Sequence, residues 1–279
     1  MEIFESKRIR LMLKKINNLS DFLLFILICL LTFNLLLFLS FAFTAVQGKY
    51  TLDYAESVVY ANTIIFSETG TLYSDITKEP FNVVPYAPIY YLISATFISL
   101  FGKSLFFGRL ISIICSLLVS FLVYKIVFTI TKRRNVSMMA GLLLFTSNIT
   151  FYWGILFKPD LLALFFIVLG IYFVVKYIKN KQVVNLYASV IIFLVAFFTK
   201  QDSITAPLAT FIYLCMTNKD HAKKFIVSFL IGGTTIFLIA YFLSSGYFYL
   251  HIVKYAAHVG FALIGMISSF YLFINGNFI

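Results

Sequence analysis

Residues 22–46 read "FLLFILICLLTFNLLLFLSFAFTAV", a run with no charged residue and neither glycine nor proline to interrupt a helix. A helix needs about 20 such residues to cross roughly 30 Å of hydrocarbon. This stretch decides the environment of the whole chain, and the composition agrees. Of 279 residues, 61% are hydrophobic and 12% are charged, with a mean hydropathy of +0.97. Too little polar surface remains to cover a water-soluble globule. Further apolar runs follow with helical periodicity, unlike the alternating short segments of a membrane barrel. The expected fold is therefore all-α: a polytopic membrane helical bundle of about eight transmembrane helices. The first run is too long for a signal-peptide core and is expected to stay as an anchor.

The charge pattern gives the threading. A net charge of +11 would suggest nucleic acid in a soluble protein. Here the basic residues sit in short clusters between apolar runs, the mark of cytoplasmic loops, and no nucleic-acid partner is expected. Lys7, Arg8, Arg10, Lys14 and Lys15 make residues 1–21 a basic cytoplasmic N-terminus. The clusters at Lys132–Arg134, Lys176–Lys181 and Lys219–Lys224 should then lie inside too. Residues 22–279 are read as one transmembrane domain in which 47–108 form the first outer loop. Within it, "YAPIYYLISATFISLFG" at about 86–102 opens near Pro88, is short for a span and is placed as an interfacial helix, which keeps the parity of the later clusters. Spans are expected at about 110–131, 138–156, 161–178, 185–199, 203–217, 224–244 and 258–274.

This threading gathers Asp53, Glu56, Glu68, Asp75, Glu79, Asp160 and Asp202 on the non-cytoplasmic face, with Arg109, Lys158 and Lys200 at the span ends beside them. Ionisable groups at membrane level are costly, so a two-sign cluster there is a candidate site. Simpler roles compete: Asp160, after Pro159, suits a helix N-terminus, Asp202 or Ser203 suits a cap, and Arg109 suits an interfacial snorkel. Cys29, Cys115 and Cys215 each lie inside an apolar run and read as small hydrophobes, not a metal or disulfide set. His251 and His258 share a helical face without an evident ligand partner.

The order of these pieces resembles the lipid-phosphosugar-dependent glycosyltransferases of the GT-C fold, the superfamily that includes protein O-mannosyltransferases and aminoarabinose transferases. The resemblance is carried by "LDYAE" (52–56), "GTLYSD" (70–75), "YAPIYYL" (86–92), "LFGKSLFFGRLIS" (100–112), "FKPDLLALFF" (157–166) and "FFTKQDSITAPL" (197–208), and it covers about residues 20–245. It implies a glycosyltransferase that moves a sugar from a polyprenyl-phosphate donor to a glycan, lipid or protein acceptor. By that likeness the catalytic carboxylates are Asp53 or Glu56 in the first outer loop and Asp160 in the second. Arg109 with Lys158 or Lys200 would hold the lipid phosphate. A divalent cation, Mg or Mn, held by Glu56 and Asp160 is allowed and not required. The setting would be a prokaryotic plasma membrane, with the active face outside and a role in the cell envelope. A transporter or lipid-carrier flippase, or a truncated, non-catalytic accessory protein, is the alternative. A transporter would more often carry its charges in mid-span and repeat its topology, and neither feature is seen.

Overall fold

The computed structural model describes residues 2–255, and among them every regular element is helical. Helix α1 (Glu2–Gln47) runs through the opening apolar stretch and stops at Gly48. Helix α2 (Tyr54–Thr69) is capped by Asp53, whose Oδ1 accepts from the Ala55 N–H, and it ends at Gly70 with φ 69°. Helix α3 (Pro88–Phe101) starts on proline, whose missing N–H costs nothing at a first helical turn. At 14 residues it is about 21 Å long, too short to cross hydrocarbon. Its buried residues Tyr90, Tyr91, Ser94, Ala95 and Ile98 form one stripe.

Helices α4 (Phe106–Thr131), α7 (Asp160–Asn180), α8 (Val183–Thr199) and α10 (Lys219–Leu243) form the bundle, together with the shorter α9 (Thr205–Thr217). Among the described residues, four segments are long and apolar enough to cross a membrane: Asp21–Gln47, Phe106–Thr131, Asp160–Asn180 and Lys219–Leu243. The expected crossing at 138–156 is one broken helix: α5 (Arg134–Leu142), a 3-10 turn at Leu143–Thr146 and α6 (Asn148–Trp153). The break falls on Thr146-Ser147-Asn148, small polar residues that compete for backbone hydrogen bonds; Thr146 Oγ1 donates to the Leu143 carbonyl at 2.8 Å. The expected 203–217 span is the 13-residue α9, preceded by a 3-10 turn at Gln201–Ile204. A short helix, α11 (Tyr247–Tyr249), leads into a π-helical turn at Leu250–Tyr255. The expected span at 258–274 lies outside the described residues.

Large apolar side chains such as Phe22, Phe25, Phe33 and Phe43 on α1, and Phe242 and Leu243 on α10, point outward, as lipid-facing residues do. Cys29 and Cys215 are also exposed, and only Cys115 of the three cysteines is buried. Tyr177 on α7 hydrogen-bonds His221 on α10, and Lys132 lies against Lys179, so the basic clusters share one end of the bundle. Asp53, Lys158, Asp160 and Lys200 meet at the other.

Close packing depends on glycines, two of them against aromatic rings of neighbouring segments. A Cβ on Gly170 of α7 would stand 2.4 Å from the Phe193 ring of α8, and one on Gly108 of α4 would stand 2.0 Å from the Phe157 ring. Phe157 is fully buried over α4, next to the functional face. Gly108→Val should therefore cost about 1–3 kcal/mol by overpacking, read as a lower unfolding midpoint in detergent. Gly233→Ala, whose Cβ would meet nothing nearer than 3.5 Å, serves as the control and should not lower it. An unchanged midpoint in Gly108→Val would mean that Phe157 is free to move aside.

Candidate functional site

The charged residues at the acidic end fall into a closed pair and an open chain. Glu56, in the first turn of α2, and Arg109, in the first turn of α4, are both fully buried and face each other fork to fork. Arg109 Nε donates to Glu56 Oε1 and Nη2 to Oε2, each at 2.8 Å. Its remaining donors go to the carbonyls of Ala45 (2.6 Å), Gly48 (3.0 Å) and Tyr50 (2.7 Å). All five guanidinium N–H groups are thereby used. Glu56 is equally occupied: Oε1 also accepts from the Phe157 N–H and Oε2 from the Leu52 N–H. The pair ties the end of α1, the 48–52 turn, α2, α4 and the segment before α7 into one block.

Beside this block the charges alternate. Lys158 Nζ lies 3.7 Å from Asp53 Oδ2 and 4.0 Å from Asp160 Oδ2, and it rests 3.6 Å from the Trp153 ring centroid. Lys200 Nζ lies 2.8 Å from both Asp160 Oδ1 and Asp202 Oδ2, and 5.9 Å from the Tyr86 ring centroid. Burial pushes the Lys158 ammonium below its ordinary pKa, opposed in part by Asp160 and Asp53. For Lys200, burial pulls the same way, but Asp160 and Asp202 outweigh it and hold the group above its ordinary value. Lys200 stays charged at any physiological pH, and two bonded carboxylates leave its third N–H for a ligand.

Two carboxylate oxygens stand out. Asp53 Oδ1 is held by its cap bond to Ala55, while Oδ2 sits beyond hydrogen-bonding distance of Lys158. Asp160 Oδ2 is buried without a hydrogen-bond partner. Both face the Lys158 ammonium, and the Asp53 side chain is the more exposed of the two, at 23% against 17%. A groove of about 440 Å³, lined by Phe66, Tyr73, Pro88, Leu92, Phe198 and Ile239 among others, runs between α2, α3, α8 and α10; Phe198 is two positions before Lys200 in sequence.

The structure thus brings Asp53, Lys158, Asp160 and Lys200 together and sets Glu56 and Arg109 behind them, engaged with each other. Glu68 lies apart in an exposed pair with Lys103, and Asp75 in a surface turn with Thr77 and Lys78. No group of three or more His, Cys, Asp or Glu side chains suited to a metal occurs among the described residues. Trp153 was not anticipated. Its signal was present, since it is the sole tryptophan, five residues before Lys158.

A family model described as dolichyl-phosphate-mannose-protein mannosyltransferase matches residues 84–247, more than half of the chain. The match takes in Arg109, Lys158, Asp160 and Lys200, while Asp53 and Glu56 precede it. No curated protein and no solved structure matches the chain.

Breaking the closed pair should be far costlier than removing it. Glu56→Gln or Arg109→Leu strands a buried charge, at about 3–5 kcal/mol, whereas Glu56→Leu combined with Arg109→Leu should recover part of that loss in denaturant or thermal unfolding. Arg109→Lys should not rescue, because a lysine carries too few donors for the carboxylate and three carbonyls. Equal midpoints for single and double variants would show that the pair carries no such constraint.

Proposed function

The chain belongs to the dolichyl-phosphate-mannose-protein mannosyltransferase family, and from that premise we propose that it transfers a sugar from a polyprenyl-phosphate donor to an acceptor hydroxyl with inversion, at the acidic end of the bundle. The observation that carries this reading is the Asp53 carboxylate, whose Oδ2 makes no hydrogen bond, at the start of a chain of alternating charge that runs through Lys158 and Asp160 to Lys200.

Asp53 is the general base. Its Oδ1 is fixed as a helix cap and its Oδ2 takes the proton of the acceptor hydroxyl, while the hydroxyl oxygen forms the new bond to the anomeric carbon. The bond from that carbon to the phosphate oxygen breaks, and the electron pair leaves with the lipid phosphate. Lys200 receives the developing charge. Asp202, the most exposed partner of Lys200, is the carboxylate that an incoming phosphate displaces, leaving Asp160 to hold the ammonium in place. Lys158 is nearly inaccessible and acts through the carboxylates it separates. Glu56 and Arg109 position: their atoms are used on each other and on backbone.

The groove, whose lining includes Phe198 of the same helix end that carries Lys200, offers the polyprenyl chain an apolar surface. In this reading the reaction needs no metal: Lys158, between Asp53 and Asp160, and Lys200, between Asp160 and Asp202, supply the positive charge, and the Glu56 oxygens are engaged by Arg109 and the Phe157 and Leu52 N–H groups. With the basic clusters at the opposite end, the positive-inside rule turns the site outward. That end is periplasmic or extracellular in a prokaryote.

Asp53→Asn should lower transfer by about 10²–10⁴-fold while retaining polyprenyl-phosphate binding, and Lys200→Gln should raise KM for the donor. Excess chelator should leave the wild-type rate unchanged. Wild-type activity in Asp53→Asn would remove the base from this position, and a chelator-sensitive rate would restore a metal. Sidedness is checked by labelling Lys103→Cys and Lys223→Cys in intact cells with an impermeant thiol reagent. Only the first should react, and the reverse pattern would invert the orientation.

A further inference from the structure

Residues 82–86, "NVVPY", cross the acidic end between the first-loop turn and α3, and every one of them is held by a side chain from elsewhere. Asn82 donates to Asn62 of α2, and Asn62 Nδ2 donates to the Val83 carbonyl at 3.1 Å. The Val84 N–H donates to His251 Nδ1 at 3.0 Å. Gln201, next to Lys200, donates to the Pro85 carbonyl at 3.0 Å, and the Tyr73 hydroxyl donates to the Tyr86 carbonyl at 2.9 Å. The segment ends on the Tyr86 ring, which flanks Lys200. Burial raises the Tyr86 phenol pKa, and Asp160, Asp202 and Asp53 act in the same direction, so its hydroxyl remains a hydrogen-bond donor beside the charged chain.

Of these five attachments, the one through His251 is the one that titrates near neutrality. Its chemistry is unambiguous. A backbone N–H can only donate, so Nδ1 carries no proton. A carbonyl can only accept, so Nε2 carries the proton that it donates to Ser74 O at 2.7 Å. A second proton on the ring would set two donors face to face at Val84.

We infer that His251 is a positioning residue which, only when neutral, latches the 82–86 segment so that Tyr86 stands against Lys200 as a wall of the donor-phosphate pocket; this presupposes the lipid-phosphate donor proposed above. The ring is 1% exposed and sits between the Tyr73 and Tyr255 rings, 5.6 and 5.7 Å away. Among the described residues, those tyrosines are the titratable rings packed against it. The closest charge in sequence on the facing loop, Asp75, turns its carboxylate to Thr77 and Lys78, and Lys254 lies on its own turn. Burial therefore dominates and lowers the His251 pKa from 6.5, with the Ser74 bond opposing. Because the folded state favours the neutral ring, the latch is complete above pH 6.5 and is lost as pH falls through the lower folded value.

The test compares wild type with His251→Ala and His251→Asn, whose amide can still accept from Val84 but does not titrate. Hydrogen-exchange protection of residues 82–86 and the kinetics of polyprenyl-phosphate-sugar transfer are followed from pH 5 to 8. Wild-type protection should fall as pH drops below 6.5, by about tenfold once the ring is protonated, with KM for the donor rising in parallel. His251→Ala should show the low-protection, high-KM behaviour at every pH, and His251→Asn should be near wild type at pH 7.5 without the acid limb. Protection that ignores pH in wild type, or an acid limb that persists in His251→Asn, overturns the latch. Normal donor KM in His251→Ala despite lost protection overturns its positioning role. Absence of transfer in wild type sinks the transferase reading, and the exchange profile then decides the latch on its own.

Discussion

The architecture of the acidic end depends on the closed pair of Glu56 and Arg109. An arginine and a glutamate in a membrane-embedded block are tolerable only if every donor and acceptor is matched, since an unmatched buried charge costs several kcal/mol. Here the matching is complete, and it can be complete only if five chain segments arrive together: the Ala45–Gly48 end of α1, Tyr50 and Leu52, the α2 start, the α4 start and Phe157. The pair gains little over well-packed hydrophobic residues in net stability. Its contribution is to allow one arrangement and penalise the rest.

That arrangement sets the groups proposed to react. Asp53 is three residues before Glu56 and caps the same helix, so fixing Glu56 fixes the Asp53 carboxylate. Lys158 follows Phe157 directly, and the Phe157 N–H is bound to Glu56, so the lysine is delivered to the opposite side of Asp53. Ser112 Oγ, one turn along α4 from Arg109, donates to the Leu156 carbonyl at 2.6 Å and holds the same segment from below. Gly108 completes the fit, because a Cβ there would stand 2.0 Å from the Phe157 ring, and only a residue without a side chain lets Phe157 come this close to α4.

Much of this was legible in the sequence, and the parts that were not have a physical reason. Apolar length and the basic clusters gave the all-helical bundle and its two ends, because bilayer thickness and charge asymmetry act on local stretches. They also gathered Asp53, Asp160, Lys158 and Lys200 on one face. Pairing was not legible. Glu56 and Arg109 are 53 positions apart, and nothing in either neighbourhood distinguishes a residue that meets ligand from one that meets its counter-ion. Arg109 read as a phosphate fork because the fork that binds carboxylate is the same fork. The broken helix at 134–153 was missed for a related reason, since hydropathy does not register that Thr146-Ser147-Asn148 can take backbone bonds for themselves.

Side-chain exposure then rises along the cluster in the order that chemistry requires: 0% for Glu56 and Arg109, 3% for Lys158, 17% for Asp160, 22% for Lys200, 23% for Asp53 and 65% for Asp202. A charge that must hold a fold has to exclude water and ligand alike, because solvent screens the attraction it relies on. A charge that must meet a phosphate has to give up a partner reversibly, and only a partly wet pair can do so at modest cost. Alternating acids and lysines at a helix-end interface satisfy both demands with one chemistry. Depth alone separates the scaffold from the groups proposed to react.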